Sequence, residues 1–231
     1  MEQQVEEYEP TRDNVLIVVV YTTHLSIDIG MRNLGIFCLL VIRDTWEWVS
    51  ISLLAAFDLC SGIETGGKKC TSVIAQHAVE LLDALLPIRG TTRLFIEEQF
   101  IATGKGAQFM QNDDARRLEA ILLGYFVSRQ RAWRKYRTLE GANSVNSASM
   151  VIYRVPNKVK TTRCPKQLQK NKPAYKEWTR QQAVIELRER DFEEAASVVE
   201  CASKGDDAGD AVMQYIEASV RVKEDATKYL W

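Results

Sequence analysis

Between residues 15 and 59, apolar residues form runs that are typical of buried β-strands. Such runs suit strands covered on both faces of a sheet. Gly30 and Gly35 punctuate a short turn, as expected of a hairpin. The runs are Val15–Tyr21 and Leu25–Ile29, which Thr22, Thr23 and His24 separate, then Leu34–Ile42 and Val49–Leu59.

Helical and strand patterns alternate in the rest of the chain. Apolar residues at helical spacing predict helices over Ser72–Leu86, Ala115–Val127 and Ala174–Glu200, and a last helix from about Asp206 past Ile216. Further strands are predicted over Leu94–Ile96 and Met150–Val155. Antiparallel strands followed by alternating helices and strands favour an α/β fold, with a mixed sheet and helices packed on it.

The length of 231 residues and the hydrophobic share of 46% fit one globular domain. We expect residues 15–231 to form it, with a basic polar insertion near 129–149. Residues 1–14 carry five acidic residues against Arg12 and are predicted to be a disordered tail. No apolar run approaches the ~20 residues of a membrane helix. With five scattered cysteines, this predicts a soluble intracellular protein of the cytoplasm, or of the host cytoplasm or nucleus if viral, with no membrane partner.

Positive charge is concentrated in the stretch from Arg129 to Arg180, although the whole chain has a net charge of −1. This stretch contains fourteen Lys and Arg residues but only two acidic residues, Glu140 and Glu177. Aromatic residues are interleaved with the basic ones. A solvated basic face is one interpretation, but this pattern favours binding to nucleic acid. The candidate phosphate-binding residues are Lys158, Lys160, Lys166, Lys170, Lys172 and Lys176.

Acidic residues interrupt or close several of the apolar segments. A buried carboxylate is costly without a partner. Carboxylates gathered from distant segments repel one another, and a divalent cation such as Mg²⁺ or Mn²⁺ offsets that repulsion. The clusters are Asp28 in SIDIG, Glu97 and Glu98 at the end of LFIEE, and Asp206, Asp207 and Asp210 in GDDAGD.

Each acidic cluster also has a structural interpretation. Asp28 could bond the backbone of the Gly30 turn, and only one of two successive strand glutamates can face a shared site. Spacing alone does not separate the three helix aspartates. An N-cap role after Gly205 suits Asp206 and leaves Asp207 and Asp210 to project together.

The ordered set of motifs resembles the RuvC-like Holliday-junction resolvases of the RNase H-like superfamily, nearest to the poxvirus and fungal mitochondrial branch. The resemblance covers roughly residues 24 to 216. An arginine-rich segment after Gln99, typical of the fungal mitochondrial members, is missing here. The matching residues are Ser26 to Gly30, Asn33, Gly35, Ile96, Glu97, Gln99, Ala174 to Lys176, Gln182 to Val184, Lys204, Asp206, Asp207, Asp210 and Ala211.

The resemblance implies an RNase H-like fold with a five-stranded mixed sheet, its first three strands antiparallel, and helices on both faces. It assigns Asp28, Glu97, Asp207 and Asp210 as catalytic ligands of Mg²⁺, for which Mn²⁺ would substitute. Branched DNA is the implied substrate, with no small-molecule substrate. His24, interpreted as a surface group, and His77, interpreted as a core residue, need no catalytic role.

Paired cuts in a junction further imply a homodimer. The apolar face of the Ala115–Val127 helix is a candidate interface, and packing of that face on its own sheet is the alternative. The residues of this face are Leu118, Ile121, Leu122, Tyr125 and Phe126.

Three other functions stay open at this point. One is a catalytically inactive DNA-binding relative, against which the intact set of four carboxylates argues. An RNase H-like nuclease that cuts an RNA–DNA hybrid would use the same carboxylates. An actin-like ATPase also opens with a motif similar to SIDIG, but it needs a second glycine-rich phosphate loop, which the sequence lacks.

Overall fold

The computed structural model describes residues 20–30, 32–61, 71–85, 92–99, 107–139, 150–202 and 205–225. The predicted acidic tail, the run from Val15 to Val19 and the glycine-rich loop Gly62–Gly67 lie outside these residues. Residues 140–149 of the predicted insertion also lie outside them. The other part of the predicted insertion, residues 129–139, belongs to a long helix.

Five strands and six α-helices are found among the described residues. They occur in the order β1 (Tyr21–Ile29), β2 (Asn33–Ile42), β3 (Trp48–Asp58), α1 (Thr71–Leu85), β4 (Thr92–Glu98), α2 (Ala107–Leu139), β5 (Met150–Pro156), α3 (Lys166–Gln169), α4 (Lys172–Arg188), α5 (Glu193–Cys201) and α6 (Gly205–Glu224).

The strands form one mixed sheet in the order β3-β2-β1-β4-β5. β1 pairs antiparallel with β2, and β2 pairs antiparallel with β3. β4 lies parallel to β1 on one side and to β5 on the other. The predicted fold class is confirmed, because the first three strands are antiparallel and helices cover both faces.

Each face of the sheet has its own apolar core. On one face, Leu25 and Ile27 of β1 pack with α1 and α2. On the other, Phe37 of β2 and Phe95 of β4 pack with α4, α5 and α6. Of the helices among the described residues, none combines the length and apolar content needed to cross a membrane.

The predicted break within the first strand is wrong. Thr22 and His24 lie inside the continuous strand β1, and both are buried. His24 is therefore not the surface group that its position suggested: its Nδ1 lies 2.8 Å from the Tyr215 hydroxyl of α6. Burial lowers the pKa of His24 to about 3, so the ring is neutral in the folded protein.

The predicted helix Ala174–Glu200 is two helices, α4 and α5. Asp191 between them adopts a left-handed backbone conformation with φ 63°. The Phe192 amide donates to the Leu187 carbonyl at 3.0 Å, which closes the end of α4. Glycine is the usual residue at such a turn, so the sequence carries no strong signal for the break.

Most of the apolar face of α2 packs against the molecule's own sheet. Leu118, Leu122 and Phe126 are fully buried in the core with α1. Tyr125 packs against that core and donates a hydrogen bond to Asp83 at 2.8 Å. Ile121, at 41% exposed, is the member of the predicted dimer face that stays open to solvent.

The start of α6 lies directly against β2. A Cβ atom added at Gly35 would lie 2.3 Å from the Asp207 carbonyl oxygen. This oxygen belongs to the helix backbone, so it cannot rotate away as the end of a flexible side chain could. Glycine at this position therefore allows the helix to approach the strand closely. The contact fixes the position of the first turn of α6, where the candidate aspartates lie.

We expect Gly35→Ala to lower the free energy of unfolding by roughly 1–3 kcal/mol, because the new methyl group overpacks this contact. Gly124→Ala in α2 is the matched control. A Cβ atom there meets nothing within 4 Å, so improved helix propensity should raise stability by roughly 0.5–1 kcal/mol. Urea unfolding measures both, and equal effects of the two substitutions would contradict the close approach.

Candidate metal centre

Asp28 and Glu97 lie side by side because their strands are parallel neighbours. The register pairs Ile27 of β1 with Ile96 of β4, so the next residue on each strand is a carboxylate on the face that α6 covers. Both side chains are buried. The sheet thus brings together two acidic residues that are far apart in the sequence.

Helix α6 adds a third buried carboxylate. Asp210 follows Asp207 along the helix, on the part of α6 that packs on β1 and β2. The amide of Gln214, one turn further on, donates to the Ile27 carbonyl at 3.0 Å and to the Phe95 carbonyl at 3.2 Å. These bonds tie the helix to both carboxylate-bearing strands.

The ammonium group of Lys160 lies among the three carboxylates. Its Nζ atom is 2.6 Å from Asp28 Oδ1, 3.2 Å from Glu97 Oε1 and 3.6 Å from Asp210 Oδ2. The side chain is only 8% exposed. Lys160 is among the lysines predicted to bind DNA phosphate, but here it is an internal cation of the acidic cluster.

Asp207 lies at the edge of this cluster with partners of its own. Asn33 donates to Asp207 Oδ2 at 2.7 Å, and Lys176 Nζ lies 3.3 Å from Asp207 Oδ1. Lys176 also pairs with Asp206. Asp206 is within the first turn of α6, which already begins at Gly205, so the predicted N-cap role of Asp206 is wrong.

Glu97 is held in place by Gln99, whose role the sequence did not reveal. The Gln99 amide donates to Glu97 Oε2 at 2.9 Å and to the Ile29 carbonyl at 3.1 Å, so it links the ends of β4 and β1. Glu98 is on the opposite side of the strand, where its carboxylate is 3.6 Å from Arg154. Of the two strand glutamates, only Glu97 contacts the cluster.

Burial and mutual repulsion weaken the acidity of the clustered carboxyl groups. Burial, followed by the charge of Asp28, raises the pKa of Glu97 to about 8. Burial raises the pKa of Asp210 to about 7, against the attraction of Lys160. Burial opposes the charge of Lys160 itself, but the three carboxylates raise its pKa well above the ordinary value. The cluster holds more negative charge than one ammonium offsets.

The carboxylate oxygens of the cluster are of the chemical type that a hard divalent cation prefers. Carboxylate oxygens are the ligands that Mg²⁺ and Mn²⁺ prefer, and Asp210 Oδ1 is buried without a hydrogen-bond partner among the described residues. As the side chains stand, no group of three or more His, Cys, Asp or Glu residues in the described ranges forms a set that could hold a metal ion. The ammonium of Lys160 lies between the carboxylates instead.

The other predicted DNA-binding lysines lie on the segment around Lys160. Lys158, Lys166, Lys170 and Lys172 are exposed, whereas Lys176 is half-buried beside the aspartates of α6. In the sequence, nothing distinguishes Lys160 from its neighbours in the same basic stretch. Its burial depends on the path of the chain after β5.

Comparisons with known proteins find similarity at the level of the fold. No protein-family model matches the sequence, and no curated protein matches it significantly. Among solved structures, T. thermophilus RuvC in complex with a Holliday junction substrate is 12% identical, with a TM-score of 0.44, over 91% of this chain and 99% of that chain. A second Thermus thermophilus RuvC structure is 13% identical, with a TM-score of 0.42, over 86% and 96%.

The metal-free protein should lose stability as pH rises from about 5 to 8, by proton linkage. Glu97 and Asp210 have pKa values of about 8 and about 7 in the folded protein, above their ordinary values of 4.5 and 3.8. In this interval the two carboxyl groups bind more protons in the folded state than in the unfolded chain, so the free energy of unfolding falls as protons are removed. Neutral His24 acts in the opposite direction below pH 6.5, but it is one group against two. Denaturant unfolding in a chelator at several pH values measures the slope.

Glu97→Gln should flatten this decline, because the amide does not titrate. Glu98→Gln, at the neighbouring position on the opposite face of β4, is the control and should keep the wild-type slope. A Glu97→Gln slope equal to that of the wild type would show that the buried carboxyl is not the titrating group.

Proposed function

We propose that this protein is a metal-dependent endonuclease that resolves four-way DNA junctions. The observation that carries the proposal is the convergence of Asp28, Glu97 and Asp210 on a single cation, from two parallel strands and one helix. Carboxylates gathered in this way bind a positive charge strongly. The order of the motifs that contain them supports a junction-resolving nuclease.

Mg²⁺ would be held by Asp28, Glu97, Asp207 and Asp210, and Mn²⁺ would substitute for it. When bound, such cations lower the pKa of a coordinated water and stabilise the leaving oxygen of a phosphodiester. The chain holds its ligands on rigid elements: Gln99 orients Glu97, and Asn33 orients Asp207. Restraint of this kind from neighbouring residues keeps carboxylate ligands in a binding geometry.

The exposed lysines that follow β5 supply the phosphate-binding surface. Lys158 comes two residues before Lys160, the lysine that is buried in the acidic cluster. Lys166, Lys170 and Lys172 lie further along the same segment. Cations that border an acidic centre can hold a DNA backbone beside it, since phosphate contacts fix the position of a duplex without reading its sequence.

We also propose that two copies act together on one junction. A four-way junction needs two cuts related by a near two-fold axis, and each chain supplies one carboxylate cluster. An interface between identical copies uses the same patch on both. Because Leu118, Leu122 and Phe126 are buried in their own core, the contact would use the solvent-exposed side of α2, which includes Ile121. Sedimentation of the purified protein measures its mass.

The purified protein should cut a synthetic four-way junction in Mg²⁺ and leave linear duplex intact. Asp28→Asn should reduce cutting about a thousandfold, equivalent to roughly 4 kcal/mol of lost transition-state stabilisation. Glu98→Gln should cut like the wild type, because Glu98 lies outside the cluster. Gel analysis of end-labelled substrates measures the rates.

An RNA–DNA hybrid belongs in the same assay because the same carboxylates would cut it. Preferential cutting of the hybrid would show that the hybrid, and not the junction, is the substrate. The proposed metal centre would be unaffected by this result. Equal cutting rates of the wild type and Asp28→Asn on every substrate would contradict the proposal that this cluster is the nuclease site.

Neutralising the exposed lysines should weaken junction binding in a salt-dependent way. A variant with Lys158, Lys166, Lys170 and Lys172 changed to Gln should lower the slope of log affinity against log salt by about 0.9 for each lost phosphate contact. Binding measured by fluorescence anisotropy in Ca²⁺ gives the slope without cutting. An unchanged slope would show that these lysines do not contact phosphate.

A further inference from the structure

Among the cations of the basic stretch that the structure describes, Lys160 is distinguished by the burial of its charge inside the protein. Its Nζ atom lies within 3.6 Å of three carboxylates on three different elements, and among the described residues it is the cation that contacts all three. Removal of one partner from such a buried ion pair is strongly destabilising, because the remaining buried charge is left without compensation. A role for Lys160 on the DNA surface would leave this geometry unexplained.

The backbone that carries Lys160 is firmly anchored. Val159 is fully buried in the core beneath α6. After Lys160 in the chain, Arg163 bridges two helices, with contacts of 2.6 Å to Glu186 of α4 and 2.5 Å to Glu217 of α6. Cys164 is buried as well. The fold therefore delivers the Lys160 Cα atom to a fixed place, and the flexible part of the residue is its own side chain.

The position of the ammonium is also the position that a metal ion needs. A divalent cation bound by Asp28, Glu97 and Asp210 would take the oxygen atoms that now contact Lys160 Nζ. An ammonium and a divalent cation repel each other at contact distances, most strongly where water is excluded. The two cations therefore compete for one set of oxygens.

We propose that Lys160 is a built-in counter-ion, which holds the carboxylate cluster together in the metal-free protein and is displaced when a divalent cation binds. This inference rests on the proposed metal-dependent function and adds regulation of the same site. The ammonium stabilises the empty cluster, so each binding event must first break its contacts. Metal affinity is consequently lower than the carboxylates alone would give.

The test measures metal binding without DNA, so it does not depend on cutting. Lys160→Met keeps the length and apolar stem of the side chain and removes its charge. Lys158→Met is the matched control, since Lys158 is exposed two residues away on the same segment. Mn²⁺ is titrated into each protein by calorimetry, and thermal unfolding is recorded with Mn²⁺ and with chelator.

In chelator, Lys160→Met should unfold several degrees below the wild type, because its carboxylates lose their counter-ion. It should bind Mn²⁺ at least about tenfold more tightly, which corresponds to 1.4 kcal/mol. Mn²⁺ should also raise its unfolding temperature more than that of the wild type. Lys158→Met should match the wild type in all three measurements. Equal or weaker Mn²⁺ binding by Lys160→Met would overturn the proposal.

A second measurement uses the wild-type protein and covers the case in which Lys160→Met does not fold. Amine acetylation is followed by mass spectrometry with and without Mn²⁺, with Lys158 as the internal reference. Lys160 should react slowly in chelator and faster at saturating Mn²⁺, because its ammonium has left the cluster. Unchanged protection of Lys160 at saturating Mn²⁺ would contradict displacement.

The outcomes separate this inference from the proposed function. A wild-type protein that binds Mn²⁺ and cuts junctions while Lys160 stays protected would retain the nuclease function and lose the counter-ion role. Absence of Mn²⁺ binding in both the wild type and Lys160→Met would reject the metal centre itself, and the counter-ion role with it.

Discussion

The burial of several like charges at one end of the sheet is the constraint on which the rest of the structure depends. Asp28, Glu97 and Asp210 come from two strands and a helix, and each loses hydration by being buried. Nothing in the packing of apolar side chains requires them to meet. The fold accommodates them because Lys160 supplies opposite charge at their centre, and because raised pKa values in Glu97 and Asp210 reduce the charge that must be held.

Helix α6 transmits this constraint to the whole of its face of the sheet. It carries Asp210 in its first turns, Gln214 against the carbonyls of β1 and β4, and Tyr215 against His24. Along most of its length the helix is buried between the sheet and α4. The site is thus built on elements with little freedom to move, which suits a centre whose ligands must keep a fixed geometry.

Much of the fold was predictable from the sequence because periodicity reflects burial. The strands and most helices follow apolar patterns, and the acidic motifs stand where those patterns are interrupted. The errors arise where tertiary contacts override local signals. Thr22 and His24 look like a break in a strand, but Tyr215 gives His24 a partner inside the core. Asp191 ends α4 without glycine, and Lys160 is separated from its basic neighbours only by the path of the chain.

The contact between Gly35 and the backbone of Asp207 limits how this sequence can drift over evolutionary time. Gly35 has no functional group and no part in the proposed chemistry. Yet a larger residue in its place would push the start of α6 away from β2, and the carboxylates of that helix would move with it. A position without chemistry of its own would therefore be retained as strictly as the acidic residues, and substitutions there would persist only alongside compensating changes at the beginning of α6.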